Sequence, residues 1–348
     1  MVIVMDADAT SGDIAAAVDA VTATGGEAYV SRGTSRTLIA VGGDTAQVPP
    51  PELQALPGVA DVVGVSAPYK LVSRESHSAR TVVRVADATI GGGAPALIAG
   101  PCAVETPEQT LAAARMAATA GASLLRGGAY KPRTSPYAFQ GLGEAGLKIL
   151  ADVRDATGLP IVTEVLDAAD VDLVASYADM LQIGTRNMQN FALLRAVGQA
   201  GLPVLLKRGM NATIEEWLMA AEYIAQSGTL DIVLCERGIR TFEKATRNTL
   251  DISAVAVAQQ LSHLPVIVDP SHSGGQRRLV LPLSRAALAV GADGVIVDVH
   301  PTPETALCDG PQALVEEDLA PLREMLETLP SALGRARPQP VAAEGATA

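Results

Sequence analysis

Positive charge is in short supply. Across 348 residues, 26 Lys and Arg stand against 38 Asp and Glu, a formal charge of −12, and the first basic residue is Arg32. That balance excludes a broad nucleic-acid-binding face, and an opening stretch without Lys or Arg offers no n-region for a signal peptide. Long apolar runs are missing too, since none approaches the roughly 18 residues needed to span a bilayer. Cysteine is limited to Cys102, Cys235 and Cys308, an odd number set far apart, which argues against a disulfide framework and for a reducing compartment. A cytoplasmic, globular protein is expected. The 48% apolar content is ample for a small amino-terminal module plus one large domain.

The scarce cations are concentrated. Leu124 to Gly141 reads LLRGGAYKPRTSPYAFQG, placing Arg126, Lys131 and Arg133 directly after an apolar run, with Gly127, Gly128 and Pro132 preventing a long helix between them. A buried strand that hands three cations to a loop at its carboxyl end is the place where α/β folds hold ligands. The ligand implied is an anion.

Residues 1–66 have a rhythm of their own. Strands are predicted at Val2–Met5, Glu27–Ser31, Arg36–Val41 and Val59–Val65, and helices at Gly12–Thr24 and Pro51–Leu56. The order βαββαβ is ferredoxin-like, a sheet with helices on one face, suited to binding a small regulator or building subunit contacts. Residues 67–95 read as a connector in which Thr81–Val85 and Ala88–Ile90 form a hairpin.

From residue 96, apolar β-rich runs begin near Ala96, Ser123, Pro160, Met180, Pro203, Asp231, Pro265 and Gly294. Helical spacing between them includes Glu108–Thr119, Glu144–Asp155, Ala168–Ser176, Ile214–Ala225 and Ser284–Val290, with a final segment near Pro311–Leu326. Eight such alternations over residues 96–333 predict a (β/α)8 barrel, followed by a disordered tail at 334–348. What ends each strand matters most: Cys102; Arg126 with Lys131 and Arg133; Glu164; Arg186; Lys207 and Arg208; Glu236 and Arg237; Asp269 and His272; Asp298 and His300. In a closed barrel these ends meet at one rim. So many cations there would repel one another unless anions neutralise them, and Arg forks suit phosphate and carboxylate oxygens. More than one anionic group is implied.

Cys102, His272, Asp298 and Asp309 follow strands one, seven and eight, which are neighbours once the barrel closes, so all four can reach one point. This mixed soft and hard donor set accepts Mn²⁺, Fe²⁺, Co²⁺ or Zn²⁺. Cys235 and Cys308 are read as buried structural thiols. Gly274 and Gly275 leave backbone N–H groups that could meet phosphate.

Taken together, IAGPC (98–102), LLRGGAYKPRTSP (124–136), GTRNMQN (184–190), PVLLKRG (203–209), LCERGIRTFEKATRNTLD (234–251) and VDPSHSGG (268–275) resemble the type I 3-deoxy-D-arabino-heptulosonate-7-phosphate (DAHP) synthases over the whole chain. The ferredoxin-like module followed by PYKLVSRE (68–75) is similar to the subgroup that carries such a domain. The resemblance implies a metal-dependent aldol-like condensation of phosphoenolpyruvate with erythrose 4-phosphate, the first step of the shikimate pathway. It further implies that Arg126, Lys131, Arg186, Lys207 and Arg237 hold phosphoenolpyruvate, that Arg133 and Thr134 meet erythrose 4-phosphate, and that Cys102, His272, Asp298 and Asp309 bind the metal. Lys131, between both substrates, is the expected proton donor. An aromatic amino acid effector at the module and a homo-oligomer, tetramer or dimer, are also expected.

Two positions depart from the family pattern: Thr185 stands where Ala is usual, and Asp298 where a metal-binding Glu is usual. The shorter Asp298 is expected to coordinate directly, with an inserted water as the alternative and His300 as the replacement if neither holds. Two rival readings are 3-deoxy-D-manno-octulosonate-8-phosphate synthase, disfavoured because its family has an Asn-containing sequence after the Lys of KPRTSP, and a catalytically silent sugar-phosphate sensor.

Overall fold

The computed structural model describes residues 1–34, 36–43 and 50–335. Its first unit is a four-stranded antiparallel sheet of β1 (Val2–Met5), β2 (Glu27–Arg32), β3 (Thr37–Gly42) and β4 (Val59–Val63), in the order β2-β3-β1-β4. Helices α1 (Ser11–Ala23) and α2 (Pro50–Gln54) complete a βαββαβ order. Thr10 and Asp13 cap α1 reciprocally, each satisfying a backbone N–H that the first turn leaves free. Period-2 alternation divides the sheet's faces. Ile3, Met5, Ile39 and Val41 pack on the helices, whereas Val2, Val4, Leu38 and Ala40 pack with the connector residues Tyr69, Leu71 and Val72.

The connector then grips the barrel. Glu222 accepts backbone N–H bonds from Lys70, Leu71 and Val72 at 2.9, 2.9 and 3.0 Å. Farther along, β5 (Val83–Val85) and β6 (Ala88–Ile90) form an antiparallel hairpin. Rather than standing apart, the hairpin buries Val83, Val85, Ala88 and Ile90 against Ile98, Leu124, Leu205, Ile267 and Ile296 inside the barrel. It plugs the barrel's amino-terminal end.

Eight parallel strands close the barrel: β7 (Ala96–Gly100), β8 (Leu124–Arg126), β9 (Ile161–Glu164), β10 (Met180–Ile183), β11 (Val204–Lys207), β12 (Ile232–Glu236), β13 (Val266–Val268) and β14 (Gly294–Asp298). Closure pairs β14 with β7, Asp298 opposite Gly100. Strands with helices outside and packed side chains within are buried on both faces, which is why they appear in sequence as unbroken apolar runs.

The surrounding helices include α3 (Pro107–Thr119), α4 (Glu144–Thr157), α5 (Val171–Ala175), α6 (Phe191–Gln199), α7 (Ile214–Ser227) and α8 (Ile252–Leu261). A short α9 (Pro270–Gly274) precedes α10 (Arg277–Val290) and α11 (Glu316–Ala332). Helix α10 starts a full seven residues before the expected Ser284. Pro282 lies inside it and removes only one N–H bond near the helix start, which the packing of Val280, Ser284, Ala287 and Leu288 outweighs. The final helix begins at Glu316, later than expected, because Gly310–Gln312 is a separate 3₁₀ turn. Gly334 and Arg335 are placed, with Arg335 donating to the Ala292 carbonyl at 2.7 Å. The rest of the expected disordered tail lies outside the described residues.

Glu222→Ala would leave three half-buried N–H donors without an acceptor, at a cost of about 1–3 kcal/mol. Denaturant unfolding of the variant is expected to show a loss in that range; an unchanged midpoint would mean that water replaces the carboxylate without penalty.

Candidate active site

A cavity of about 330 Å³ opens at the carboxyl ends of the strands. Seven cations line it, namely Arg126, Lys131, Arg133, Arg186, Lys207, Arg237 and Arg247, against the carboxylates of Glu164 and Asp309. An acidic protein has thus built one strongly positive cavity, and the excess calls for anionic ligands.

The cations differ in how they are held. Arg126, 4% exposed, donates to the Pro101 carbonyl at 2.8 Å and pairs with Asp298 at 3.0 Å, while its Nε has no hydrogen-bond partner among the described residues. Lys207 Nζ lies 2.6 Å from Asp269. Arg208, just below, is fixed by Glu236 at 3.0 Å and Asp251 at 2.9 Å, with its guanidinium over the Trp217 ring. Lys131 Nζ donates to the Cys102 carbonyl at 2.6 Å and lies 3.2 Å from its Sγ. Arg237 donates to Asn248 at 2.7 Å, and burial, only partly offset by Asp269, lowers its pKa. Neither Arg186 nor Arg237 forms an ion pair among the described residues. Gly184 leaves room for the rim acid Glu164: a Cβ there would lie 1.8 Å from Glu164 Oε1.

Beside the cations sits a second cluster. Cys102 Sγ is 3.7 Å from His272 Nε2 and 3.3 Å from Asp309 Oδ2, and His272 Nε2 is 3.5 Å from Asp309 and 3.7 Å from Asp298. Donor atoms bonded to one ion at about 2.0–2.3 Å are separated by comparable distances. On the other side of the ring, His272 Nδ1 faces Asp269 Oδ2 at 2.8 Å, the carboxylate–imidazole arrangement that turns Nε2 toward a metal. Burial disfavours a charged His272, yet Asp269 and Asp298 overcome it and pull its pKa up to about 10. A field that favours a proton on this ring also favours a divalent cation beside it. Burial likewise opposes ionisation of Asp309, but His272 and Arg247 outweigh it and hold the carboxylate well below its usual range. Asp309 takes a left-handed backbone, φ 53°, a strain found at functional positions. The four residues therefore fit a divalent ion.

Several expectations change. Cys308, read as a structural thiol, is in the cavity wall, its Sγ 3.8 Å from that of Cys102 and 2.9 Å from an Arg133 donor. His300 does not join the cluster; its Nδ1 accepts from Thr302 N and its Nε2 faces Glu105 at 3.6 Å. The N–H of Gly275 is not free for phosphate, because DPSHSG folds into α9, capped by Asp269, and Gly275 N–H closes that helix on Ser271 O. Two further residues belong to the site: Arg247, 3.0 Å from Asp309, and Gln312, 2.6 Å from Asp298. Arg247 lies within the cation-rich 234–251 segment, so its charge was a usable signal; Gln312 offered none.

Residues 72–334 match the profile of the DAHP synthetase I family, and residues 1–67 match that of the DAHP synthase ferredoxin-like domain. A phospho-2-dehydro-3-deoxyheptonate aldolase of Thermotoga maritima is 53% identical over 334 residues, 96% of this chain and 99% of its own. A 2-dehydro-3-deoxyphosphooctonate aldolase of Syntrophotalea carbinolica is 39% identical over 264 residues, 70% of this chain and 94% of its own. The crystal structure of a DAHP synthase from T. maritima aligns with a TM-score of 0.76 at 52% identity, covering 96% of this chain and 98% of that one. A truncated form from the same organism aligns with a TM-score of 0.72 at 54% identity, over 77% of this chain and 98% of its own. Profile, identity and barrel agree: the chain belongs to the DAHP synthetase I family, with a ferredoxin-like domain at its amino terminus.

Proposed function

We propose that the cavity condenses phosphoenolpyruvate with erythrose 4-phosphate to give DAHP and phosphate, the first step of the shikimate pathway. The observation that carries this reading is the cavity's seven cations facing only two carboxylates, with Cys102 and Asp298 each within 3.7 Å of His272 and Asp309 within 3.5 Å of it. Arg126, Lys131, Arg186, Lys207 and Arg237 hold the phosphate and carboxylate of phosphoenolpyruvate, and Arg133 and Thr134 hold the aldose phosphate. Fixing both anions in one orientation brings C3 of phosphoenolpyruvate against the aldehyde carbon and removes most of the entropic cost of their encounter. After C–C bond formation Lys131 gives a proton to the developing alkoxide. Water adds at C2, and phosphate then departs with cleavage of its C–O bond. Burial alone would discharge Lys131, but the neighbouring thiols and Glu164 outweigh it and raise its pKa, so it enters the reaction protonated.

Enzymes of this family generally depend on a metal ion. Cys102, His272, Asp298 and Asp309 would hold it here, and when bound it supplies Lewis-acid polarisation of the aldehyde oxygen. Mn²⁺, Co²⁺, Fe²⁺ and Zn²⁺ all suit this donor set.

Residues 1–66 are read as a feedback module for an aromatic amino acid, in a homo-oligomeric, cytoplasmic enzyme. Arg32 pairs with Gly228 and Leu230 ahead of β12, so the module sits at the end of the barrel opposite the cavity. An effector bound there acts through the barrel or on a neighbouring copy. No helix among the described residues is long and apolar enough to cross a membrane.

Erythrose 4-phosphate is expected to exceed arabinose 5-phosphate widely in kcat/KM, with activity lost to a chelator and restored by divalent metal. Preference for the pentose phosphate would instead favour the octulosonate reaction. Lys131→Ala and Arg237→Ala should each remove about 2–5 kcal/mol of transition-state stabilisation, read from kcat/KM, because each leaves substrate charge unpaired at a buried site. Asp298→Ala should weaken Mn²⁺ binding by about 10–100-fold in a calorimetric titration, whereas Asp298→Glu should retain it. Parent-like Mn²⁺ affinity in the alanine variant would remove Asp298 from the ligand set. A chain starting at Tyr69 should stay active and lose inhibition by tyrosine or phenylalanine; a full-length enzyme indifferent to all three aromatic amino acids would leave the module a structural role.

A further inference from the structure

We propose that Cys308 is a second sulfur ligand of the metal centre and that it makes the centre prefer thiophilic ions; this rests on the metal reading above. Three observations converge on it. First, ligand atoms of Cys102, Cys308 and Asp309 all lie within 4.8 Å of one another, as do those of Cys102, His272 and Asp298. The two sets share Cys102, and Asp309 Oδ2 is 3.3 Å from its sulfur and 3.5 Å from His272 Nε2. Cys308 and His272 therefore flank the same Cys102–Asp309 edge.

Second, the separation suits a metal. Two thiolates on a tetrahedral ion with bonds of about 2.3 Å lie about 3.8 Å apart. The Cys102 and Cys308 sulfurs are 3.8 Å apart. Both side chains are buried, at 4% and 7% exposure, so neither must be drawn in from solvent. Arg133 donates to the Cys308 sulfur at 2.9 Å, which holds that sulfur in the cavity wall beside Cys102.

Third, Asp298 is already engaged. Its Oδ1 meets Arg126 at 3.0 Å and its Oδ2 accepts from Gln312 at 2.6 Å. A hard ion with many oxygen ligands can share that carboxylate with Arg126 and Gln312. A soft four-coordinate ion would take the Cys308 sulfur in its place, beside Cys102 and Asp309 and across that edge from His272. Ion type thus selects between Asp298 and Cys308. His300, turned toward Glu105, takes no part in either set.

Co²⁺ titration of the reduced, metal-free, full-length protein tests the proposal, since each thiolate on Co²⁺ adds sulfur-to-metal charge transfer in the near ultraviolet. Cys308→Ser is expected to lose about half of that intensity and Cys102→Ser a similar share, with far-ultraviolet circular dichroism confirming the fold of each. Competition should show the Zn²⁺ over Mn²⁺ preference falling by about tenfold or more in Cys308→Ser, with Mn²⁺ affinity within about threefold of the parent. Full charge-transfer intensity in Cys308→Ser, or an unchanged Zn²⁺ to Mn²⁺ ratio, overturns the proposal while leaving the metal site intact. A parent protein that binds neither Co²⁺ nor Mn²⁺ overturns both it and the metal reading.

Discussion

Asp269 is the carboxylate on which the site turns. It is 1% exposed, and such a group is tolerated only with full compensation. Lys207 Nζ meets it at 2.6 Å, His272 Nδ1 at 2.8 Å, and the His272 N–H caps onto its other oxygen at 2.8 Å. Burial alone would raise its pKa, but His272 and Lys207 outweigh that and hold it well below the ordinary carboxylate range. One charge therefore fixes a cation of the cavity wall, orients an imidazole and starts α9. Lys207 and His272 cannot move independently, because both side chains are tied to Oδ2 of the same carboxylate.

The amino-terminal end is organised by different means. There the hairpin closes the barrel with apolar side chains, and the connector and module attach through main-chain hydrogen bonds and Glu222. Helix α7 spans the two regimes. Its Trp217 donates to the Leu206 carbonyl at 3.2 Å beneath Lys207 and Arg208, and its Glu222 holds the connector. The helix is thereby anchored both beneath the cations and at the connector, which lie at opposite ends of the barrel.

The fold was legible because a strand buried on both faces and an amphipathic helix leave different periods in sequence. The eight barrel strands start within a residue of the positions expected, since burial dictates composition directly, whereas the connector hairpin starts at Val83, two residues after the expected Thr81. The expected Ser284–Val290 segment misses the first two turns of α10, which hold Pro282, a residue whose cost tertiary packing absorbs. In the site, residues announced by charge at a strand end were found, and those whose meaning depends on distance were not. Cys102 and Cys308 are 206 positions apart, and the sulfur contact between them arises from barrel closure plus the path of the loop after β14. Gln312 touches Asp298 for the same reason, and nothing in its neighbours marks it.

The cavity's cations fall into two classes that have different physical effects. Arg126 and Lys207 are paired with buried carboxylates, as is Arg208 beneath them, so their positions are set before any ligand arrives. Preorganised charge of this kind does not have to be reoriented during reaction and so acts most strongly on the transition state. Lys131, Arg133, Arg186 and Arg237 have no carboxylate partner among the described residues, and they leave the cavity net positive. Arg247 bears on Arg237 as a like charge, and an anion entering the cavity would relieve that repulsion and stabilise the fold by mass action. The first class gives the cavity its geometry and the second its excess of positive charge, a division made possible by Asp298, Asp269 and Glu236, carboxylates that the barrel keeps behind the cavity wall.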